Sequence, residues 1–123
     1  MAATHGIAVE RAGDVTVVAL TGEHDVSTAP HIRDQVVPTL DAGNPLVVDL
    51  SGASFIDSSV LGVLLGGLRR AREHGLGYAI VLGDDAGSAV RRIFDVTGLI
   101  PVFPIHARLD DAVASAAAEH ARA

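Results

Sequence analysis

The chain has 123 residues, with nine Lys+Arg against fifteen Asp+Glu and a net charge of −6, a length suited to one domain with a real core. All of its cations besides histidine are arginines, and an acidic, lysine-free chain lacks the basic clusters that displace counterions from nucleic-acid phosphates. Hydrophobic residues make up 49% but aromatics only 3%, so the core is aliphatic and base-stacking platforms are not expected; the absence of Cys removes disulfides, thiolate catalysis and Cys-based zinc sites.

Ile7–Glu10 and Val15–Leu20 read as two strands joined by the turn chemistry of Arg11–Asp14, a hairpin. Thr21–Asp25 follows as a polar loop. Ser27 or Thr28 then caps a helix that accepts Pro30 in its first turn and sets Ile32, Val36 and Leu40 on one stripe. Pro38 lies near the end of that helix. After the break at Asp41–Pro45, Leu46–Leu50 is an apolar run of the kind found in strands buried on both faces.

Ser51–Asp57 reads as a loop, and a second helix starts at about Ser58. Its residues Leu61, Leu64, Leu65 and Leu68 keep i, i+3, i+4, i+7 spacing. Arg69, Arg70 and Arg72 suit the negative end of that helix, and Gly75 suits its termination. Tyr78–Leu82 is another buried strand and Gly83–Gly87 a loop. Ser88 opens a third helix with Val90, Ile93 and Phe94 inward, stopped by Gly98. Two prolines restrict Pro101–Ile105 to an edge-type strand. Asp110 or Asp111 starts a last Ala-rich helix, expected to fray into a tail from about 115. Two strands followed by alternating helix and strand predict an α/β domain with a mixed sheet and about four helices, spanning 1–123.

The N-terminus has no basic segment followed by an apolar one, and no apolar run approaches the ~20 residues of a membrane span, so a soluble cytoplasmic protein is expected. The six histidines (5, 24, 31, 74, 106 and 120) have no paired ligand spacing, and no metal or other cofactor is expected. A GxxxxGK[ST] loop is impossible without lysine, and no G-x-S-x-G elbow is present, so a serine hydrolase would have to pair Ser58 with a distant His, a reading that an active-site phosphonate probe labelling Ser58 would reveal.

The informative stretch is Phe55-Ile56-Asp57-Ser58-Ser59-Val60-Leu61-Gly62. Adjacent serines sit where a loop hands over to an amphipathic helix. Asp57 or Ser58 serves as N-cap there. A helix start also accommodates a phosphate, through unpaired N–H groups and the positive end of the dipole. Gly62 and Gly66, four apart, form a stripe without side chains at a cost of about 1 kcal/mol each relative to Ala. That stripe implies close packing inside the chain or a groove for a partner.

Asp49-Leu50-Ser51, Phe55-Ile56-Asp57-Ser58-Ser59 and Leu61-Gly62 together resemble the signature of STAS-domain anti-sigma factor antagonists. Leu20–Asp25 resembles the family's loop after the second strand, usually Gly-Glu-Leu-Asp. Val90–Leu99 and Asp110–Ala112 resemble its third and last helices, so the likeness covers nearly the whole chain. It implies a non-enzymatic switch. The unphosphorylated antagonist binds an anti-sigma factor that is also a serine kinase and so releases a sigma factor; the kinase phosphorylates the serine after the Asp, and a metal-dependent, PP2C-type phosphatase restores it. Carried over by position, the acceptor is Ser58 with Ser59 as its neighbour, Asp25 matches an acidic loop residue that helps partner binding, and Glu23 and Asp57 match the surrounding motif. Together with the Gly62 and Gly66 stripe, Asp25, Asp57 and Ser59 make the expected partner-binding surface, with no nucleic acid or membrane partner. The same fold also implies an alternative, an accessory or scaffold subunit of a transporter or signalling assembly. Two positions depart from the family pattern. Val60 stands where glycine is usual, and its methyl groups are expected to crowd a kinase. His24 stands where an apolar residue is usual, and is expected to be a solvated loop histidine.

Overall fold

The computed structural model describes residues 5–85 and 88–122. Met1–Thr4, Ala86 and Gly87 of the expected loop, Ala123 and the side chains of residues 120–122 lie outside the described residues. In chain order the elements are β1 (His5–Ala12), β2 (Val15–His24), α1 (Ala29–Asp41), β3 (Leu46–Ile56), α2 (Ser58–His74), β4 (Tyr78–Val81), α3 (Ala89–Val96), β5 (Ile105–His106) and α4 (Leu109–Arg122). The strands form one sheet in sequence order, β1-β2-β3-β4-β5. β1 pairs antiparallel with β2, and every later pairing is parallel, so the sheet is mixed, as the pattern of elements predicts.

Side chains alternate across a strand, and here the alternation sorts two cores. Val48, Val18, Leu20 and Ile80 face α1, α2 and α3, meeting Ile32, Val36, Leu64, Leu68 and Phe94. Their neighbours Val15, Val17, Val47, Ala79 and Val81 face Ala112 and Ala116 of α4. Each fully buried aliphatic side chain contributes about 1.5–3 kcal/mol. Small alanines on α4 bring that helix close to the sheet: a Cβ on Gly77 would collide with the Ala116 carbonyl. α4 remains helical to Arg122, past the point where fraying was expected.

Larger differences from the sequence expectation lie in β2, β3 and the stretch before β5. β2 continues through Thr21–His24 and β3 through Ser51–Ile56, stretches that read as loops. They are strands because they pair with each other, Thr21 with Gly52, Gly22 with Ala53, Glu23 with Phe55 and His24 with Ile56, across two register shifts. In this half of the sheet Ser51, Gly52, Ser54 and Phe55 are exposed, so the strand lacks the continuous apolar pattern of its first half. Of Pro101–Ile105 only Ile105 is strand, opening the short β5 at the edge of the sheet. Val102 and Phe103 donate to the Leu99 carbonyl in a turn, and the ladder with β4 begins only where Pro104, lacking an N–H, offers its carbonyl to Ile80 at 2.9 Å.

Helix ends follow local chemistry. Asp57 caps α2, and the Ser88 hydroxyl caps α3 by accepting from Arg91 N–H at 3.0 Å. Gly75 ends α2 in the left-handed region (φ 68°, ψ 31°), where a side chain is strained, and Leu76 N–H returns to the Ala71 carbonyl at 2.8 Å. α2 lies against α1, and Arg70 reaches Asp41 at 2.6 Å across their exposed ends.

Candidate functional site

β2 and β3 run side by side in the same direction, and His24 is paired with Ile56. The turns that leave these strands therefore start together: Asp25–Thr28 into α1, and Asp57 into α2. Asp25 and Asp57 open neighbouring turns at the carboxyl end of the sheet, where open α/β sheets usually hold their sites.

Asp57 has extended backbone (φ −114°, ψ −174°) and is the N-cap of α2. Its Oδ1 accepts from Ser59 N–H at 2.9 Å and Val60 N–H at 3.2 Å, while its carbonyl accepts from Leu61 N–H at 3.1 Å. Ser58 is the first helical residue and is exposed; its hydroxyl has no hydrogen-bond partner among the described residues. Along the same side of the helix, a Cβ on Gly62 or Gly66 would meet nothing within 4 Å. Close packing inside the chain thus does not account for these glycines. They line a groove of about 390 Å³ between α1 and α2 with Ser59, Arg33 and Arg69.

The Asp25 turn is built differently. Asp25 is exposed, and its Oδ1 accepts from Ser27 N–H at 2.9 Å and from Ser27 Oγ at 2.6 Å. These hydrogen bonds, the serine hydroxyl first, hold its carboxyl below the ordinary carboxylate range. Its carbonyl accepts from Thr28 and Ala29 N–H at 3.0 and 2.9 Å, which closes the turn. Thr28 is the N-cap residue of α1, but its hydroxyl gives no cap bond because it is turned to Asp25 N–H and to His24.

Residues 6–112 match the STAS domain profile. The chain belongs to the STAS domain family. It is 31% identical over 96 residues to the anti-sigma-B factor antagonist of Bacillus subtilis, covering 78% of this chain and 85% of that protein. A solved anti-sigma factor antagonist from Mycobacterium paratuberculosis superposes with a TM-score of 0.79 at 31% identity, covering 92% of this chain and 94% of that one. The anti-sigma factor antagonist SpoIIAA in its unphosphorylated form superposes with a TM-score of 0.72 at 25% identity, over 88% and 93% of the two chains. No helix among the described residues is long and apolar enough to cross a membrane.

Within this STAS domain two expectations are corrected. Val60 is fully buried in the core shared by α1, α2 and the sheet, so its methyl groups offer no surface to a docking partner. The signal was available in the sequence: Val60 precedes Leu64 and Leu68 by four and eight residues, on the apolar stripe. His24 is not a solvated loop residue. It has no exposed surface, ends β2, and holds Thr28 Oγ1 at 3.1 Å through Nδ1 and the Thr21 carbonyl at 3.0 Å through Nε2. The contacts that enclose it come from distant and neighbouring segments together, the His5 ring of β1 edge-on at 5.6 Å and Thr28 at the start of α1.

Sequence reasoning also missed two exposed apolar side chains beside the turns. Val26, between Asp25 and Ser27, is 69% exposed, and Phe55, just before Ile56, is 43% exposed. Both lie in stretches read as loops, where no periodicity marks an unburied apolar residue.

Proposed function

We propose that this protein is an anti-sigma factor antagonist. In its unphosphorylated form it binds an anti-sigma factor serine kinase and thereby releases a sigma factor, in the cytoplasm. Phosphorylation of Ser58 breaks that complex, and a PP2C-type phosphatase restores it. The role is that of a binding module, not of an enzyme.

The observation that carries the reading is the exposed, unpartnered Ser58 hydroxyl beside a carboxylate that already holds the next two N–H groups. A bare helix start offers free N–H donors to a phosphate. Here Asp57 occupies two of them, so a phosphate on Ser58 adds ~1.5 to 2 negative charges next to an existing one. Uncompensated, that charge faces whatever docks on the turn. Asp25, Asp57, Ser59, Gly62 and Gly66 form the partner-binding surface, with the glycines allowing a partner to approach the α2 backbone. The names of the relatives described above, the anti-sigma-B factor antagonist and the two solved anti-sigma factor antagonists, support the same assignment.

Two unit charges ~4 Å apart interact by about 4 kcal/mol at an effective dielectric of 20, and exposure and salt reduce this to roughly a tenfold to hundredfold loss of affinity. The cognate kinase with ATP is expected to add one phosphate, mapped to Ser58. In calorimetric titrations of the kinase, Ser58→Ala is expected to bind like the unmodified protein and Ser58→Asp to bind poorly, with circular dichroism unchanged. Equal affinities in both variants with intact folds, or transfer to Ser59 alone, would reduce Ser58 to an ordinary helix residue.

A further inference from the structure

We propose that His24 is the positioning residue of the Asp25 turn: its buried imidazole ties the turn to the end of β2 and fixes how Asp25 is presented. The ring is fully enclosed and its two nitrogens reach opposite partners, the Thr21 carbonyl three residues back and the Thr28 hydroxyl four residues on. A carbonyl only accepts, so Nε2 carries the proton toward Thr21. In the neutral ring Nδ1 is then an acceptor, and the Thr28 hydroxyl donates to it. The hydroxyl also lies 3.2 Å from the Asp25 carbonyl, but that oxygen already accepts from Thr28 and Ala29 N–H. Thr28 Oγ1 keeps a lone pair for Asp25 N–H at 3.0 Å.

The chain of bonds therefore runs from the strand through the ring and the hydroxyl to the backbone of Asp25. Thr28 is itself only 4% exposed, so few waters compete for the hydroxyl. With the Asp25 backbone held, its carboxylate meets Ser27 N–H and Oγ and stays pinned although it is solvent-exposed. An apolar side chain at position 24 fills the space but makes neither bond.

The test is amide hydrogen exchange and ¹⁵N relaxation at neutral pH on the protein alone, comparing wild type, His24→Leu, His24→Asn and Thr28→Val. Thr28→Val keeps the ring and removes only the hydroxyl. In His24→Leu and Thr28→Val the Asp25 and Ser27 amides are expected to exchange roughly tenfold faster, with lowered order parameters across 25–28 and unchanged protection in β3 and β4. His24→Asn, whose amide reaches the position of Nδ1, is expected to restore most of the protection. Exchange at Asp25 and Ser27 equal to wild type in His24→Leu overturns the proposal, since Thr28→Val alone also removes the direct acceptor of Asp25 N–H; so does a loss of protection spread evenly over the sheet, the mark of a merely structural histidine. The role of Asp25 in partner binding rests on the function proposed above and is read separately. If the turn loosens while the affinity for the kinase stays unchanged, the clamp stands and the partner surface must exclude Asp25.

Discussion

Helix α2 turns Val60, Leu61, Leu64, Gly67, Leu68 and Ala71 toward the interior, while Ser58, Gly62 and Gly66 face solvent. Glycine occurs on both sides, in opposite surroundings. At Gly67 a Cβ would stand 2.7 Å from Tyr78 Oη and 2.9 Å from Val36 Cγ1, because the buried Tyr78 hydroxyl donates to the Leu64 carbonyl at 2.8 Å and its ring fills the space. At Gly62 and Gly66 the space is open. Gly67 is explained by the fold, whereas Gly62 and Gly66 cost helix stability with no return inside the chain. The partner surface proposed above would give them a use outside the chain.

The largest expected effect tests the inner side. Val60→Gly empties a fully buried position and lowers helix propensity, for a loss on the order of 3 kcal/mol in urea unfolding. A stable variant that is phosphorylated faster would revive the idea that Val60 crowds the kinase. Gly67→Ala comes next. The new methyl group must displace Tyr78 or Val36, at a cost of about 1–3 kcal/mol from overpacking. A neutral result would mean that the tyrosine yields and that Gly67 does not set the packing.

On the outer side the sign reverses. Gly62→Ala and Gly66→Ala are expected to raise stability by up to about 1 kcal/mol each in the same unfolding assay. If the groove receives a partner, both variants should also weaken the anti-sigma complex in calorimetry. A gain in stability with unchanged binding would break the comparison. The smallest effect lies at the far end of α2. Arg70, by hydrogen bond first and charge second, lowers the pKa of the exposed Asp41 carboxyl. A lowered folded-state pKa stabilises above the ordinary carboxylate range, and this contribution disappears as pH falls through the folded value. Arg70→Ala should thus differ slightly from wild type at neutral pH in low salt and converge with it in acid or high salt, as thermal melts would record.

Much of the molecule is legible in one dimension. The α1 stripe of Ile32, Val36 and Leu40, the caps at Asp57 and Ser88, the terminator Gly75 and the buried run Leu46–Leu50 follow from periods and bonds that span only a few residues. The Asp57-Ser58 pair at the helix start is legible for the same reason. Contacts between distant segments decided the rest. β2 and β3 extend through polar residues because each supplies the other's hydrogen bonds, which no local pattern records. His24 is buried, against the His5 ring of β1 and the Thr28 hydroxyl, although its own neighbours Glu23 and Asp25 are exposed. Gly62, Gly66 and Gly67 are the same residue on one helix, and the positions of Tyr78 and Val36, each distant in the chain, separate a glycine with no room for a side chain from two with nothing beside them. Local chemistry sets where a helix begins and which face is apolar, but what stands opposite a given atom is set by the packing of the whole chain.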